Sequence, residues 1–251
     1  MPSQVLFENA EHKNVLLEDY TSGQMVQANQ HLIIHQGHGM LLDPGGHKVY
    51  SYALEELSAL ISPNNLDYIF FSHQDPDIVA AANGWLMVTD AHALLSQLWI
   101  RFITHFGVDE FLVDKIIAVP DRGRTVDLMG CQLLLLPAHF MHSAGNFQVY
   151  DPVAKILYSG DLGASLGQTY ITVENFDDHI QYMEGFHRRY MPSNKVLKLW
   201  AEMVKPLDIE IIAPQHGAMI VGKDNVARFI AWVESLTCGL DLMGNTYTLP
   251  G

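Results

Sequence analysis

The stretch Ser72-His73-Gln74-Asp75-Pro76-Asp77-Ile78 follows an apolar run, Leu66 to Phe71, with the composition of a buried strand. His73 and Asp75 are two residues apart, so in extended backbone their side chains point the same way and can share one metal ion. Pro76 is well suited to the start of a helix, and Asp77, in the first turn, points elsewhere, toward a second metal. An Asp-Pro-Asp sequence before a helix is also an ordinary N-terminal cap that needs no metal.

Three other apolar runs also end at a His or an Asp in a loop rich in Gly and Pro. These loops carry His142, Asp161 and His216. Because rigid sheets present ligands on such loops, the sequence predicts one metal site. Its six residues are His73, Asp75, Asp77, His142, Asp161 and His216. Three imidazoles and three carboxylates favour iron or manganese over the histidine-rich site of a zinc hydrolase.

Composition excludes several other classes of function. The 251 residues have a net charge of -14 and no basic run, which argues against nucleic-acid and anionic-membrane partners. The N-terminus lacks the apolar core of a secretory signal, and no apolar run approaches membrane-span length, so a cytoplasmic protein is expected. Cys131 and Cys238 lack CxxC spacing; we expect buried small hydrophobes and neither a disulfide nor a thiolate zinc site.

Short apolar runs bounded by Gly, Pro, Asp or Asn predict eight strands. They cover residues 31–34, 40–42, 66–71, 115–119, 131–136, 147–150, 156–158 and 209–213. Helical patterns cover about 77–83, 91–105, 177–190, 193–204 and 223–237. Two strand-rich halves, each followed by helices, predict an α+β fold in which two packed sheets are covered by helices.

The combined motif resembles the metallo-β-lactamase superfamily over nearly the whole chain. The family pattern H-x-[HED]-x-D-H corresponds to His73, Asp75, Asp77 and Ile78, and His142, Asp161 and His216 fit the later positions. The sequence Leu41-Leu42-Asp43-Pro44-Gly45 also matches the family's early strand and turn. The resemblance implies a four-layer αββα sandwich formed by a single domain, residues 1–251. His142 fits the family ligand better than His139, which we expect to be packed or exposed.

Two departures point to one branch of the superfamily. Its zinc hydrolases carry His where this chain has Asp75, whereas flavodiiron proteins carry a carboxylate followed by Pro-Asp-His; here Ile78 replaces that last His. The chain thus looks like the smaller oxygen-binding diiron proteins related to flavodiiron proteins. Because it stops at residue 251, without a flavodoxin-like domain, no flavin is expected on this chain.

The resemblance also implies the role of each ligand. His73, Asp75 and His142 would bind the first metal, Asp77 and His216 the second, and Asp161 would bridge them. The cofactor would be two iron ions, with manganese or zinc as substitutes. Two divalent irons carry four positive charges, which three Asp carboxylates and one hydroxide balance. The open position near Ile78 would suit dioxygen.

The leading hypothesis is therefore a diiron protein that binds dioxygen and acts as a sensor or as an oxygen-reducing enzyme. The alternatives are a metal-dependent hydrolase and a metal-free binding module that keeps only the fold. Expected partners are an external reductase or a signalling protein, including one in chemotaxis, and the relatives suggest a homodimer. The remaining histidines show no ligand spacing and are expected to be structural or exposed; they include His31, His35, His38, His47, His92, His105, His179 and His187.

Overall fold

The structure is a computed structural model that describes residues 3–250. Its first sheet has seven strands in the order of the chain. They are β1 (Gln4–Glu8), β2 (His12–Leu16), β3 (His31–His35), β4 (His38–Leu42), β5 (Leu66–Phe70), β6 (His92–Ser96) and β7 (Ile116–Val119). Strands β1 to β4 form an antiparallel meander, and β4 to β7 pair in parallel.

The second sheet also has seven strands, in the order β12-β14-β13-β11-β10-β9-β8. They are β8 (Arg124–Leu128), β9 (Cys131–Pro137), β10 (Phe147–Asp151), β11 (Ile156–Gly160), β12 (Thr172–Val173), β13 (Ile211–Pro214) and β14 (Met219–Val221). Strands β8 to β11 are an antiparallel meander, whereas β11 pairs in parallel with β13.

Helices provide the crossovers that the parallel pairs require. They are α1 (Tyr50–Leu60), α2 (Pro76–Val79), α3 (Ala82–Val88), α4 (Phe176–Tyr190), α5 (Asn194–Val204) and α6 (Lys223–Ser235). Short 3₁₀ turns occupy Pro63–Asn65, Ile100–Phe106, Glu110–Lys115 and Gly239–Leu242. None of the helices within residues 3–250 is long and apolar enough to cross a membrane.

Buried side chains fall into three layers, because alternate residues of a strand face opposite sides of its sheet. In β3, Leu32 and Ile34 pack with the helices of the first half, while Ile33 packs between the two sheets. In β9, Leu133 and Leu135 lie between the sheets and the adjacent leucines face the helices of the second half. The molecule is therefore the predicted four-layer αββα sandwich.

All eight predicted strands are present, but the helix predicted over residues 91–105 is wrong. His92–Ser96 is strand β6, buried between β5 and β7, and a 3₁₀ turn follows it at Ile100–Phe106. Periodicity does not distinguish a short buried parallel strand from a buried helix.

The helix predicted over residues 77–83 is two helices, α2 and α3, and α3 continues through Gly84. A Cβ at Gly84 would lie 3.0 Å from the Tyr50 ring, so close packing explains this glycine. The sequence did not predict β1, β2, β8, β12, β14 or α1. Both cysteines are free and buried, as expected.

Candidate metal centre

The six predicted residues converge at one end of the sandwich, where four strands end. His73 follows β5, His142 follows β9, Asp161 follows β11 and His216 follows β13. Parallel pairing of β11 and β13 brings their carboxyl ends to one edge. The two sheets are joined there by a hydrogen bond of 2.9 Å from the Phe147 N–H to the Ser72 carbonyl.

Four of these side chains form a first group. The His142 Nε2 lies 2.9 Å from Asp161 Oδ2 and 3.3 Å from Asp75 Oδ2. The His73 Nε2 lies 3.6 Å from the same Asp75 oxygen and 3.7 Å from the same Asp161 oxygen. Two imidazole nitrogens and two carboxylate oxygens thus face one point.

Asp77 and His216 form a second group on the other side of Asp161. The His216 Nε2 lies 3.4 Å from Asp77 Oδ2 and 3.7 Å from Asp161 Oδ1. The Gln215 side chain donates a 3.1 Å hydrogen bond to Asp77 Oδ2 and holds that carboxylate in place. The start of α2 therefore turns Asp77 away from Asp75, as the sequence predicts.

Asp161 lies between the groups with one oxygen toward each. Its Oδ1 is buried and accepts no hydrogen bond within the described residues. A buried acceptor without a donor costs about 1–3 kcal/mol, so a cation at this point would satisfy it. The donor set and the orphaned oxygen fit two metal ions bridged by this carboxylate.

Asp75 occupies the N-cap position of α2, but its side chain makes no capping hydrogen bond. Its carboxylate instead faces His73 and His142. The ordinary-cap interpretation of the Asp-Pro-Asp sequence is therefore wrong. His139 lies elsewhere as well, since its Nε2 is 2.8 Å from the Asp121 carbonyl oxygen.

Mutual attraction shifts the pKa values of the first group. Contacts with Asp161 and Asp75 raise the pKa of His142 to about 10. Burial would raise the pKa of the Asp75 carboxyl, but hydrogen bonds from His142 and His73 outweigh it and the pKa is lowered. Without a metal, the group is thus an ion-pair cluster at neutral pH, and a metal must displace the His142 proton.

Polar contacts orient the other ring nitrogen of two of the histidines. The His73 Nδ1 lies 2.9 Å from Ser72 Oγ, and the Ser72 N–H donates to Asp43 Oδ1 at 2.7 Å. The His216 Nδ1 lies 2.6 Å from the Gln27 carbonyl oxygen. The Gln27 carbonyl can only accept, so it keeps a proton on His216 Nδ1 and leaves Nε2 available to a metal, while the Ser72 contact fixes the orientation of the His73 ring.

His187 positions the Asp161 turn. It is buried in α4, and its Nε2 accepts a 2.9 Å hydrogen bond from the Gly163 N–H while its Nδ1–H donates to the Met183 carbonyl. Burial lowers the pKa of His187 to about 4, so the ring is neutral. The sequence gives His187 no ligand spacing, and the structure assigns it a positioning role.

The site is deep on one side and open on the other. His73 and Asp161 are buried, whereas Asp75, Asp77 and His142 are half-buried. The His142 ring centroid lies 5.7 Å from that of Tyr190 and 6.3 Å from that of Phe186, so α4 supplies an aromatic wall. This side of the site is therefore accessible from solvent.

Some contributors to the site were not predicted from the sequence. Gln27, Asp43 and Ser72 act through hydrogen bonds to residues distant in the chain or through local backbone geometry. Asp43 did carry a signal, because it lies in the Leu41-Leu42-Asp43-Pro44-Gly45 turn that matches the family. Gln27 lies in an irregular segment with no motif of its own.

Comparison with curated proteins gives distant relatives. An uncharacterised protein of Methanocaldococcus jannaschii is 23% identical over 76% of this chain and 48% of its own length. An anaerobic nitric oxide reductase flavorubredoxin of Klebsiella pneumoniae is 24% identical over 95% of this chain and 50% of its own length. The chain thus spans about half the length of these relatives.

Solved structures include much closer matches. One described as the peroxy diiron species of the chemotaxis sensor ODP is 42% identical, with a TM-score of 0.87, and covers 96% of this chain and 98% of its own. The apo state of the chemotaxis sensor ODP from T. denticola is 40% identical, with a TM-score of 0.85, and covers 96% and 97%. A flavo di-iron protein mutant from Thermotoga maritima is 18% identical, with a TM-score of 0.77 and coverage of 94% and 61%, and so shares the fold.

The family profile described as "ODP family beta lactamase" matches residues 26–217. That segment contains all six converging side chains and the Gln27 carbonyl that orients His216. Together with the 42% identity to a structure of the chemotaxis sensor ODP, the match identifies this chain as a member of the ODP family of β-lactamase-like proteins.

Proposed function

We propose that this protein binds dioxygen at a non-haem diiron centre. His73, Asp75 and His142 hold the first iron, Asp77 and His216 hold the second, and Asp161 bridges them. The observation that carries the proposal is the position of Asp161, whose Oδ2 faces one group of ligands while its Oδ1 faces the other. When bound, the two irons supply the electrons for oxygen chemistry, which no side chain of the chain provides.

The protein's own residues prepare the centre. Ser72 and the Gln27 carbonyl fix the rings of His73 and His216, and Phe186 and Tyr190 wall the open side beside His142. Ile78, whose side chain is fully buried in the apolar core of the first half, offers no metal ligand. The second iron would therefore have fewer protein ligands than the first, and dioxygen would bind at the position that Ile78 leaves without a ligand.

The biological role that we propose is oxygen sensing, or oxygen reduction driven by an external donor. Similarity to a chemotaxis sensor supports the sensing role. The partner would be a signalling protein or an external reductase, and we place the protein, as a homodimer, in the cytoplasm.

The test is to load the metal-free protein with ferrous iron under anaerobic conditions and then to expose it to air. We expect two irons per chain and a change in visible absorption on exposure. His142→Gln should lose both the stoichiometry of two irons and the absorption change. His139→Gln removes a neighbouring histidine outside the site and should keep the stoichiometry and the absorption change.

Two results would overturn the proposal. One is ferrous protein that shows no optical response to air. The other is protein that retains zinc on purification and hydrolyses ester or phosphodiester substrates, which would point to the hydrolase alternative.

A further inference from the structure

A second cluster of metal-binding side chains lies at the opposite end of the sandwich from the six-residue site. We call it the distal cluster; it consists of His12 on β2, His35 at the end of β3, Cys131 at the start of β9 and Asp151 at the end of β10. His12 and His35 are directly paired across the first sheet, whereas Cys131 and Asp151 belong to the second sheet. The cluster therefore joins the two sheets.

The ligand atoms of this cluster are close enough to share one ion. The His12 and His35 Nδ1 atoms lie 3.1 Å apart. One ring nitrogen of each histidine and the Cys131 Sγ all lie within 4.8 Å of one another. Zinc bonds of about 2.1 Å to nitrogen and about 2.3 Å to sulfur, in tetrahedral geometry, place two nitrogens roughly 3.4 Å apart and nitrogen and sulfur roughly 3.6 Å apart. The nitrogen pair already has nearly this separation.

Asp151 sets the orientation of His12. Its Oδ2 lies 2.7 Å from His12 Nε2 and accepts a 2.8 Å hydrogen bond from the Asn14 side chain. Its Oδ1 accepts from the Val153 and Ala154 N–H groups. A fully satisfied, buried carboxylate thus keeps the proton of His12 on Nε2 and turns the Nδ1 lone pair toward His35 and Cys131. Carboxylate–histidine–metal arrangements in proteins have this form.

We propose that the distal cluster binds one zinc ion through His12 Nδ1, His35 Nδ1 and the Cys131 thiolate. Two imidazoles and one thiolate select zinc over the oxygen-preferring cations, so this site has a different metal preference from the six-residue site. The Cys131 thiol loses its proton to solvent on binding. His35 is only half-buried and gives the ion a route from solvent and a fourth position for water.

A proton shared between the Nδ1 atoms of His12 and His35 is the alternative explanation of their close approach. Binding of cobalt(II) as a probe distinguishes a shared proton from a metal site. The six residues of the other site carry only nitrogen and oxygen donors. A thiolate-to-cobalt charge-transfer absorption therefore reports on a cysteine alone. In protein whose six-residue site has first been filled with ferrous iron under anaerobic conditions, we expect this absorption to saturate at one cobalt per chain, to be displaced by zinc, and to vanish in Cys131→Ser.

Two matched variants complete the experiment. Cys238→Ser removes the other buried cysteine and should leave the absorption unchanged. His35→Asn should weaken cobalt binding at least tenfold, and it decides the question even if Cys131→Ser does not fold, because His35 lies at a half-exposed strand end. The proposal fails if the wild-type protein gives no such absorption with excess cobalt, or if His35→Asn binds cobalt as tightly as the wild type.

Discussion

The two ends of the sandwich hold polar clusters of different construction. At one end, His73, His142, Asp161 and His216 lie on loops that follow strands, and Asp75 and Asp77 lie at the start of α2. At the other, His12, His35 and Cys131 belong to the strands themselves; His12 and Cys131 are buried and His35 is half-buried. Loops thus place ligands at an open edge of the sandwich, whereas strand positions place them between its layers. Changes that affect one end and spare the other test this division.

The largest expected effect follows from Asp161→Ala, which removes the carboxylate between the two groups. Iron stoichiometry should fall from two per chain to one or fewer, because loss of a bridging ligand weakens binding by more than about 100-fold. Metal analysis after gel filtration measures this. Retention of two tightly bound irons would refute the bridge, and the cobalt absorption of the distal cluster should not change.

Next in size is Asp151→Ala, which should leave the six-residue site able to bind iron but lower the free energy of unfolding by about 3–5 kcal/mol. The reason is that His12 and Asn14 lose a buried charged partner. Denaturant unfolding of the metal-free protein measures the loss. Asp151→Asn, which keeps the shape, should cost less, and equal stability of Asp151→Ala and the wild type would contradict the account.

Ile78→His should supply the missing ligand of the second iron and slow or alter the optical response to oxygen. In the metal-free protein it should cost about 1–3 kcal/mol, because it buries a polar ring in an apolar core. Ile78→Val is the matched control. If stopped-flow absorption after mixing with oxygen were the same in Ile78→His and the wild type, our placement of the oxygen site would be wrong.

The smallest effect concerns pH. The folded-state pKa of His142 is about 10, above its ordinary value of 6.5, so its contribution to the stability of the metal-free protein is complete below pH 6.5 and is lost as pH rises toward 10. Solvent screening limits this to roughly 1 kcal/mol.

Unfolding curves of wild type and His142→Gln between pH 6.5 and 9.5 measure how the stabilising contribution of His142 changes with pH. The difference between the two proteins should shrink as pH rises, and a constant difference would contradict it. Iron binding should tighten over the same range, because the metal displaces the His142 proton.

The two ends also differ in how far the sequence predicts them. Each loop ligand carries a local signal, since an apolar run is followed within a few residues by His73, His142, Asp161 or His216 in a loop that contains Gly or Pro. His12 and His35 lie 23 residues apart and meet only through the pairing of β2 and β3. The distal cluster has no local spacing at all, and the expectation that Cys131 is only a small hydrophobe rested on that absence.

Prediction of the fold from the sequence is limited in the same way, because some elements depend on contacts between distant residues. Leucine- and isoleucine-rich strands such as β9 and β13 are evident from composition, but His92–Ser96 has the apolar content of either a helix or a strand. Its parallel pairing with β5 and β7 makes it a strand, and this pairing involves residues distant in the chain. His187 illustrates the point for the site, because its role depends on the approach of α4 to the Gly163 turn.

The contact between His216 and the Gln27 carbonyl bears on how far the protein can be trimmed. Asn29 strengthens it by donating hydrogen bonds to the carbonyls of Pro214 and Gly217. A chain that began at residue 31 would keep all six side chains of the six-residue site and still lose the support of His216. A shortened chain that keeps the six-residue site must therefore include the main-chain oxygen of Gln27, which lies one residue inside the start of the family match at residue 26.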